Sequence, residues 1–287
     1  GSRVTQVEML PRIMAVEDAD IGGYVAEQLA AEGVDLRSGH KATAFTVEHG
    51  ERVLVCEHEG AEVRIPFDAV LVAVGRAART ADYGLDRLGI PLTPRGTIET
   101  DACLQTRIPT IHACGDVVGP YQFTHAAAHQ AWHATVNALF GAFRRFKVDY
   151  SVLPHATFTD PEVARVGLSE DEARRDGVDY EVTRYDLGEL DRAIAEGEAR
   201  GVVKVLTVPG KDRILGATIV GEHAGDLIAE FALAMKRRIG LNSILGTVHA
   251  YPTLAEATKF AAGEWKRAHA PATALRWLER FHGWQRG

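Results

Sequence analysis

Near the C-terminus, the run His249-Ala250-Tyr251-Pro252-Thr253-Leu254-Ala255-Glu256 places an imidazole, a phenol and a carboxylate within one short stretch. His249 and Tyr251, two residues apart, share a face if the backbone is extended. Pro252 fixes its own φ and donates no hydrogen bond, and Thr253 with Glu256 three residues on has the spacing of a capping box. A loop therefore ends here and a helix begins. The three groups could move protons for a substrate, or they could be an ordinary helix start with two incidental polar residues. A second set lies at Ala113-Cys114-Gly115-Asp116, where an apolar stretch stops at a glycine and a carboxylate. At the C-terminal edge of a sheet, such a glycine admits a ligand to the backbone, and the carboxylate suits the hydroxyls of a sugar or ribityl chain.

The elements that must hold these groups follow from patterning. Val4 to Glu8 reads as a strand, and Glu17 to Glu32 as a helix with Ile21, Tyr24, Val25, Gln28 and Leu29 at helical spacing, closed by Gly33. Strands are predicted at 34 to 37, 41 to 48, 52 to 58 and 61 to 65, the middle ones joined by turns at Gly50 and Gly60. Ala69 to Val74 is a continuous apolar run, as in a strand buried on both faces. A strand ending in an acid, a helix, a strand, a small meander and a buried strand make the second half of a dinucleotide-binding Rossmann unit. Glu8 then sits where a carboxylate bonds the adenine ribose hydroxyls, which favours NAD over NADP. A plain surface charge at a strand end fits the same pattern.

Thr110 to Cys114 is a second apolar strand, and a helix from Thr124 to Phe140 brings its N-terminal amides to carbonyl or anionic groups of the same ligand. Beyond Pro154 a separate α+β unit begins. Val163 to Gly167 and Tyr180 to Leu187 are strands around a helix capped by Ser169 and Glu172. Val202 to Val208 pairs with Ile214 to Val220, and a helix runs from Gly225 to Arg238. The tail from Ala272 to Trp284 is a basic amphipathic helix. It is expected to cover its own domain, with a membrane surface or a partner as the alternative.

The 287 residues suffice for two domains, and 46% hydrophobic with 25% charged residues is ordinary globular composition. A net charge of -7, from 32 Lys plus Arg against 39 Asp plus Glu, gives no support to nucleic-acid binding. No apolar run is long enough for an integral membrane segment, and the N-terminus shows no signal-peptide core, so the expected location is cytoplasmic. Cys56, Cys103 and Cys114 have no metal-ligand spacing, and no metal site is expected.

Several motifs in order carry a resemblance. Val72-Ala73-Val74-Gly75-Arg76, Ala113-Cys114-Gly115-Asp116, Phe123-Thr124-His125-Ala126-Ala127, the stretch from Ala156 to Ser169 and the His249 to Glu256 run resemble the pyridine nucleotide-disulfide oxidoreductases, the family of dihydrolipoamide dehydrogenase, glutathione reductase and mercuric reductase. The resemblance implies an α/β and α+β fold. Partial Rossmann-like halves of an NAD(P)-binding domain (1 to 76) and an FAD-binding domain (77 to 150) precede an α+β interface or dimerisation domain (151 to 270) and the tail (271 to 287). It implies FAD and NAD as cofactors. Gly115 and Asp116 would bind the flavin ribityl chain, the backbone near Thr124 and His125 would face the flavin ring, and Glu8, Ala42 and Gly75 would line the NAD site. It also implies a homodimer, in which the His249 to Glu256 segment serves the partner's flavin.

Two departures shape the functional expectation. The chain reads as the C-terminal part of a longer enzyme, without the Gly-x-Gly-x-x-Gly turns or a Cys-x4-Cys, and on its own it is expected to be inactive and to hold FAD weakly. In dithiol-using members of the family the residue before the proline is a histidine that acts as general base; here it is Tyr251, as in mercuric reductase, and a phenol is a poor base at neutral pH. His249 could substitute, with Glu256 as its orienting partner. The expected function is hydride transfer from NADH to flavin and on to a disulfide, metal-ion or other small-molecule acceptor. The alternative is a non-catalytic dimerisation or binding module of the same origin.

Overall fold

The computed structural model describes residues 1–286 and resolves two units. One is formed by Gly1–Ala69 together with the chain from Pro154 onward, the other by Val70–Leu153.

In the first unit, β1 (Thr5–Glu8) lies parallel to β2 (Asp35–Ser38), with α1 (Ala19–Ala31) between them in sequence. β3 (Lys41–Glu48), β4 (Glu51–His58) and β5 (Ala61–Pro66) form an antiparallel meander. Its two-residue loops, His49-Gly50 and Glu59-Gly60, have positive φ at both positions, the turn whose twist matches paired strands. The α+β part is a five-stranded antiparallel sheet in the order β6 (His155–Thr157), β7 (Val163–Gly167), β10 (Ile214–Val220), β9 (Val202–Thr207), β8 (Glu181–Asp186). α3 (Glu170–Arg175) starts from a complete Ser169–Glu172 capping box, as its spacing predicts. α4 (Asp191–Glu196), α5 (Ala224–Arg237), α6 (Leu241–Gly246), α7 (Glu256–Ala268) and α8 (Ala272–Arg286) complete it.

Both faces of the sheet are covered. α5 packs on β7 and β10 and α7 on β8 and β9, burying Phe231, Ala261 and Trp265. On the other face Ile21 and Val25 of α1 join Ile13, Val163, Val202 and Val220 in one apolar cluster. β9 is accordingly buried at every residue, including Lys204, whose side chain is 0% exposed. With period-2 alternation Lys204 shares the face of Val202 and looks toward α1. There its ammonium meets Asp18 at 2.7 Å, Asp20 at 3.1 Å and Glu170 at 2.5 Å. These three carboxylates lie close enough together to suit a metal ion, and the Lys204 ammonium occupies the point where they converge.

The second unit differs from the sequence expectation. Ala69–Val74 is not a buried strand: it has no strand pairing, and Leu71 and Val74 are 89% and 91% exposed. Thr110–Cys114 makes only the isolated Gln105–His112 bridge. A strand of the doubly covered kind needs lateral neighbours for its amides and layers above and below, and the described residues around these runs supply neither. What the unit does form is α2 (Thr124–Phe140) with loops held on it by side-chain amides. The tail also departs from expectation. α8 is helical, but its described side chains are exposed rather than packed on the sheet. The reason is the packing above: α1 on one side and α5 with α7 on the other leave no open apolar face of the sheet for it.

Replacing Lys204 with Met should destabilise the protein by about 3–5 kcal/mol in urea unfolding, because three carboxylates lose their shared cation. Burial is the largest influence on Asp18 and Asp20 and acts to raise them. The hydrogen bonds and charges of Lys204 and Arg184, with the Asp171 and Glu170 amides on Asp18, outweigh it and hold both below the usual carboxylate range. On Lys204 burial acts to lower, and its carboxylate bonds win and raise it. The carboxylate contribution is thus present above about pH 4 and lost as pH falls through the lowered values, and that of Lys204 is lost only above about pH 10. The gap between wild type and Lys204→Met should stay constant from mildly acid to mildly alkaline pH and shrink in acid. A gap that changes through the histidine range would contradict this origin.

Candidate functional site

Three groups of predicted site residues are placed by different elements. In the second unit Gly115 has φ +82°, a conformation open to glycine, and a Cβ there would come within 3.5 Å of Ala127. Its amide donates to Gln130 Oε1 at 2.5 Å. Asp116 is partly exposed and paired with Arg76 at 3.4 Å, and Arg76 also donates to the Gln122 carbonyl at 3.1 Å. Gly75, at φ +128°, thus sits beside the residue that reaches Asp116. Thr124 opens α2 behind Phe123, whose side chain cannot accept a cap bond, and the Phe123 and His125 rings stack at 5.2 Å. A carboxylate on a glycine turn next to helix amides without a side-chain cap is a wall suited to a polyhydroxylated chain and its anionic groups.

The device that holds this wall together escaped the sequence reading. Gln130 is fully buried on α2; it accepts the Gly115 amide and donates to the Tyr150 hydroxyl at 2.7 Å. Asn137, two turns on, clamps Cys103 O at 3.0 Å and Phe146 through both its amide groups at 2.8 Å. The signal was present as polar residues at helical spacing on the face that buries Ala126 and Ala134.

In the first unit Glu8 ends β1 at the C-terminal edge of the parallel pair, and its carboxylate accepts from the Leu10 amide at 2.7 Å. Ala42 is exposed on β3, beside a register shift between Ala42 and Ala44. Glu8 and Ala42 belong to the first unit and Gly75 to the second.

The opening motif forms a turn into α7. Only half of the expected capping box is made. Glu256 accepts the Thr253 amide at 3.2 Å, while the Thr253 hydroxyl donates to the Ala250 carbonyl at 2.7 Å and the helix proper starts at Glu256. Tyr251 and Glu256 line a cleft of about 280 Å³ with Tyr185, Asp191 and Glu189. Tyr251 is 71% exposed and donates to Asp191 Oδ2 at 3.0 Å. That bond and the Asp191 charge push the phenol above its ordinary value. Deeper in the cleft Tyr185 is pushed up to about 12, by burial first and then by the charges of Glu189, Asp191, Glu256 and Glu264. The cleft is acidic, and its exposed phenol is a hydrogen-bond donor.

His249 is not partnered by Glu256. Its Nε2 faces Glu230 of α5 at 3.0 Å and its Nδ1 faces the Thr247 carbonyl at 3.1 Å, and Thr258 also bonds Glu230. Both ring nitrogens thus meet protein partners on α5 and in the loop before Tyr251, and neither meets Glu256, the orienting partner considered for it. The physical reason is topological: α5 presents Glu230 to the loop before Tyr251, while Glu256 is occupied by its own helix start.

Fold and site together define an NAD/FAD-type flavoprotein scaffold joined to a dimerisation domain. The chain belongs to the pyridine nucleotide-disulphide oxidoreductases: that family's pattern matches residues 1–131, and the pattern of its dimerisation domain matches residues 153–262. Members of the family use FAD and NAD(H). Among the similar proteins are the dihydrolipoyl dehydrogenases of Chlamydia muridarum, 35% identical over 89% of this chain and 54% of the relative, and of Thermus scotoductus, 35% identical over 91% of this chain and 56% of the relative. The Cu(II) complex of the HOCl-induced flavoprotein disulfide reductase RclA from Escherichia coli superposes with a TM-score of 0.83 at 27% identity, over 92% of this chain and 58% of that one. The chain spans about half the length of the curated relatives it matches.

Gln130→Leu should cost about 1–3 kcal/mol in thermal unfolding, since the Gly115 amide and the Tyr150 hydroxyl both lose their buried partner. Glu230→Ala should cost a similar amount by stranding His249 and Thr258, whereas Glu256→Gln, which keeps an acceptor for the Thr253 amide, should cost less than about 1 kcal/mol.

Proposed function

We propose that this chain supplies one wall of an NAD site, one wall of an FAD site and the dimerisation domain of an FAD-dependent NADH oxidoreductase related to the dihydrolipoyl dehydrogenases, working as a cytoplasmic homodimer. The observation that carries the reading is Tyr251, which stands in the base position of the family motif and is hydrogen-bonded to Asp191. Flavin, when bound, supplies two-electron transfer between NADH and an acceptor. Gly115 and Asp116 fit its polyol chain, and the amides at Thr124 and His125 fit the polar edge of its ring. Glu8 bonds ribose hydroxyls and repels a ribose phosphate, which supports NAD over NADP. Ala42, exposed on β3, leaves room beside the same nucleotide.

Tyr251 is a neutral donor at physiological pH, as phenols ordinarily are, and its bond to Asp191 pushes its titration further up. It can orient an acceptor or steady charge on it, but it cannot take a proton from a dithiol as an imidazole would. Glu256 fixes the turn that presents Tyr251, and His249 braces that turn against α5. The acidic cleft and the phenol favour a metal-ion or other small-molecule acceptor over dihydrolipoamide, the mercuric-reductase-like reading.

The test is NADH oxidation by the full-length dimer against lipoamide, glutathione disulfide, Hg(II) and a quinone. Tyr251→Phe should lower kcat for the preferred acceptor at least tenfold, about 1.4 kcal/mol, and leave flavin reduction by NADH unchanged. The wild-type rate should show no limb from this phenol below about pH 10. Glu8→Ala should narrow the preference for NADH over NADPH by about tenfold. Efficient lipoamide turnover untouched by Tyr251→Phe would refute the acceptor reading, and absence of NADH oxidation with bound flavin would leave the chain a dimerisation module.

A further inference from the structure

The helix α8 begins after Pro271, beyond residue 262 where the match to the dimerisation domain ends, and none of the elements described above explains it. Its described side chains are exposed, Trp284 to 78%. At 100° per residue Trp277, Leu278, Phe281 and Trp284 fall within an arc of about 120°. The aromatic members form a continuous surface: Trp277 and Phe281 stack at 5.5 Å and 7°, and Phe281 meets Trp284 at 6.3 Å. Arg276 and Arg280 both border this face along its Trp284 edge. The helix carries three arginines against a single glutamate, in a chain whose net charge is -7.

A contiguous apolar patch of this kind on an exposed helix marks an interaction surface. Its composition selects the partner. Tryptophan is favoured at the boundary between hydrocarbon and water, and arginines beside an aromatic face pair with phosphate while their stems stay in apolar surroundings. Fifteen residues are too short to span a bilayer, and no helix among the described residues is long and apolar enough to cross one. We propose that α8 is an in-plane anchor that docks the protein on an anionic membrane surface, aromatic face inward and Arg276 and Arg280 on lipid phosphates. Charge complementarity carries the choice: an acidic body is repelled by anionic lipid, and the cationic segment coincides with the exposed aromatic one. A second copy packed face to face on the same helix would instead bring like-charged arginines together.

The experiment is co-sedimentation of the whole chain with vesicles of phosphatidylcholine alone and with phosphatidylglycerol added at about one part in three, with tryptophan emission recorded. Binding is expected to the anionic vesicles only, with a blue shift, and to weaken as salt rises. Arg276→Gln with Arg280→Gln should weaken it roughly 30-fold, and Trp277→Ser with Phe281→Ser should abolish both binding and shift. Neither pair should alter the thermal unfolding midpoint, since these side chains pack on nothing in the core. Equal binding to both vesicle types, or anionic binding retained by both paired variants, overturns the proposal. So does concentration-dependent self-association lost in the Trp277→Ser, Phe281→Ser variant without vesicle binding, which would assign the face to a second copy.

Discussion

A row of charge crossing the central sheet fixes how the first unit is assembled. His155, Arg165, Thr218, Lys204 and Arg184 stand in register on β6, β7, β10, β9 and β8. Four of the five are basic, and they face the start of α1, where Glu17, Asp18 and Asp20 answer them. Glu17 takes His155 at 2.9 Å and Arg165 at 2.7 Å, Asp18 takes Lys204, and Asp20 takes Lys204 and Arg184. Glu170 and Glu172 of α3 close the array from the side. Arg165 and Lys204 are nearly or wholly removed from water, so each depends on having its carboxylates in place. The apolar cluster around Ile21 and Val25 supplies attraction between α1 and the sheet, and the ionic row supplies its register.

That arrangement has consequences for the turn at Tyr251. The face of the sheet opposite α1 is left to α5 and α7, which present Glu230 and Glu256 to the segment between them. Each carboxylate is spent on holding backbone or imidazole, and the phenol is the polar group left pointing outward with a bond to Asp191. In proton-abstracting chemistry a buried carboxylate would tune an exposed imidazole. Here the imidazole is internal and the exposed group is a weak acid.

Local rules made much of this legible in the sequence. The two glycine turns of the meander, the Ser169–Glu172 box, the span of α2 and the strands around Lys204 all depend on residues within a few positions of one another, and all were read close to where they lie. The failures concern partners far apart in the chain. Ala69–Val74 has the composition of a buried strand, but composition does not reveal whether neighbours exist to pair with it. Glu256 was the natural companion for His249 because it is seven residues away, yet the fold brings Glu230 instead. Lys204, alone among valines and leucines, was a visible anomaly whose meaning required knowing that Asp18 and Asp20 would stand above it.

The ionic row also sets a timetable. Glu17 waits for His155 and Arg165, and Asp18 for Lys204, across separations of 138, 148 and 186 residues. At ordinary rates of translation the acidic start of α1 precedes Lys204 by about ten to forty seconds. Until then Ile21 and Val25 of α1 lack Val202 and Val220, two members of the apolar cluster they share. The first unit can close only once β10 has been made, since β10 lies between β7 and β9 in the sheet.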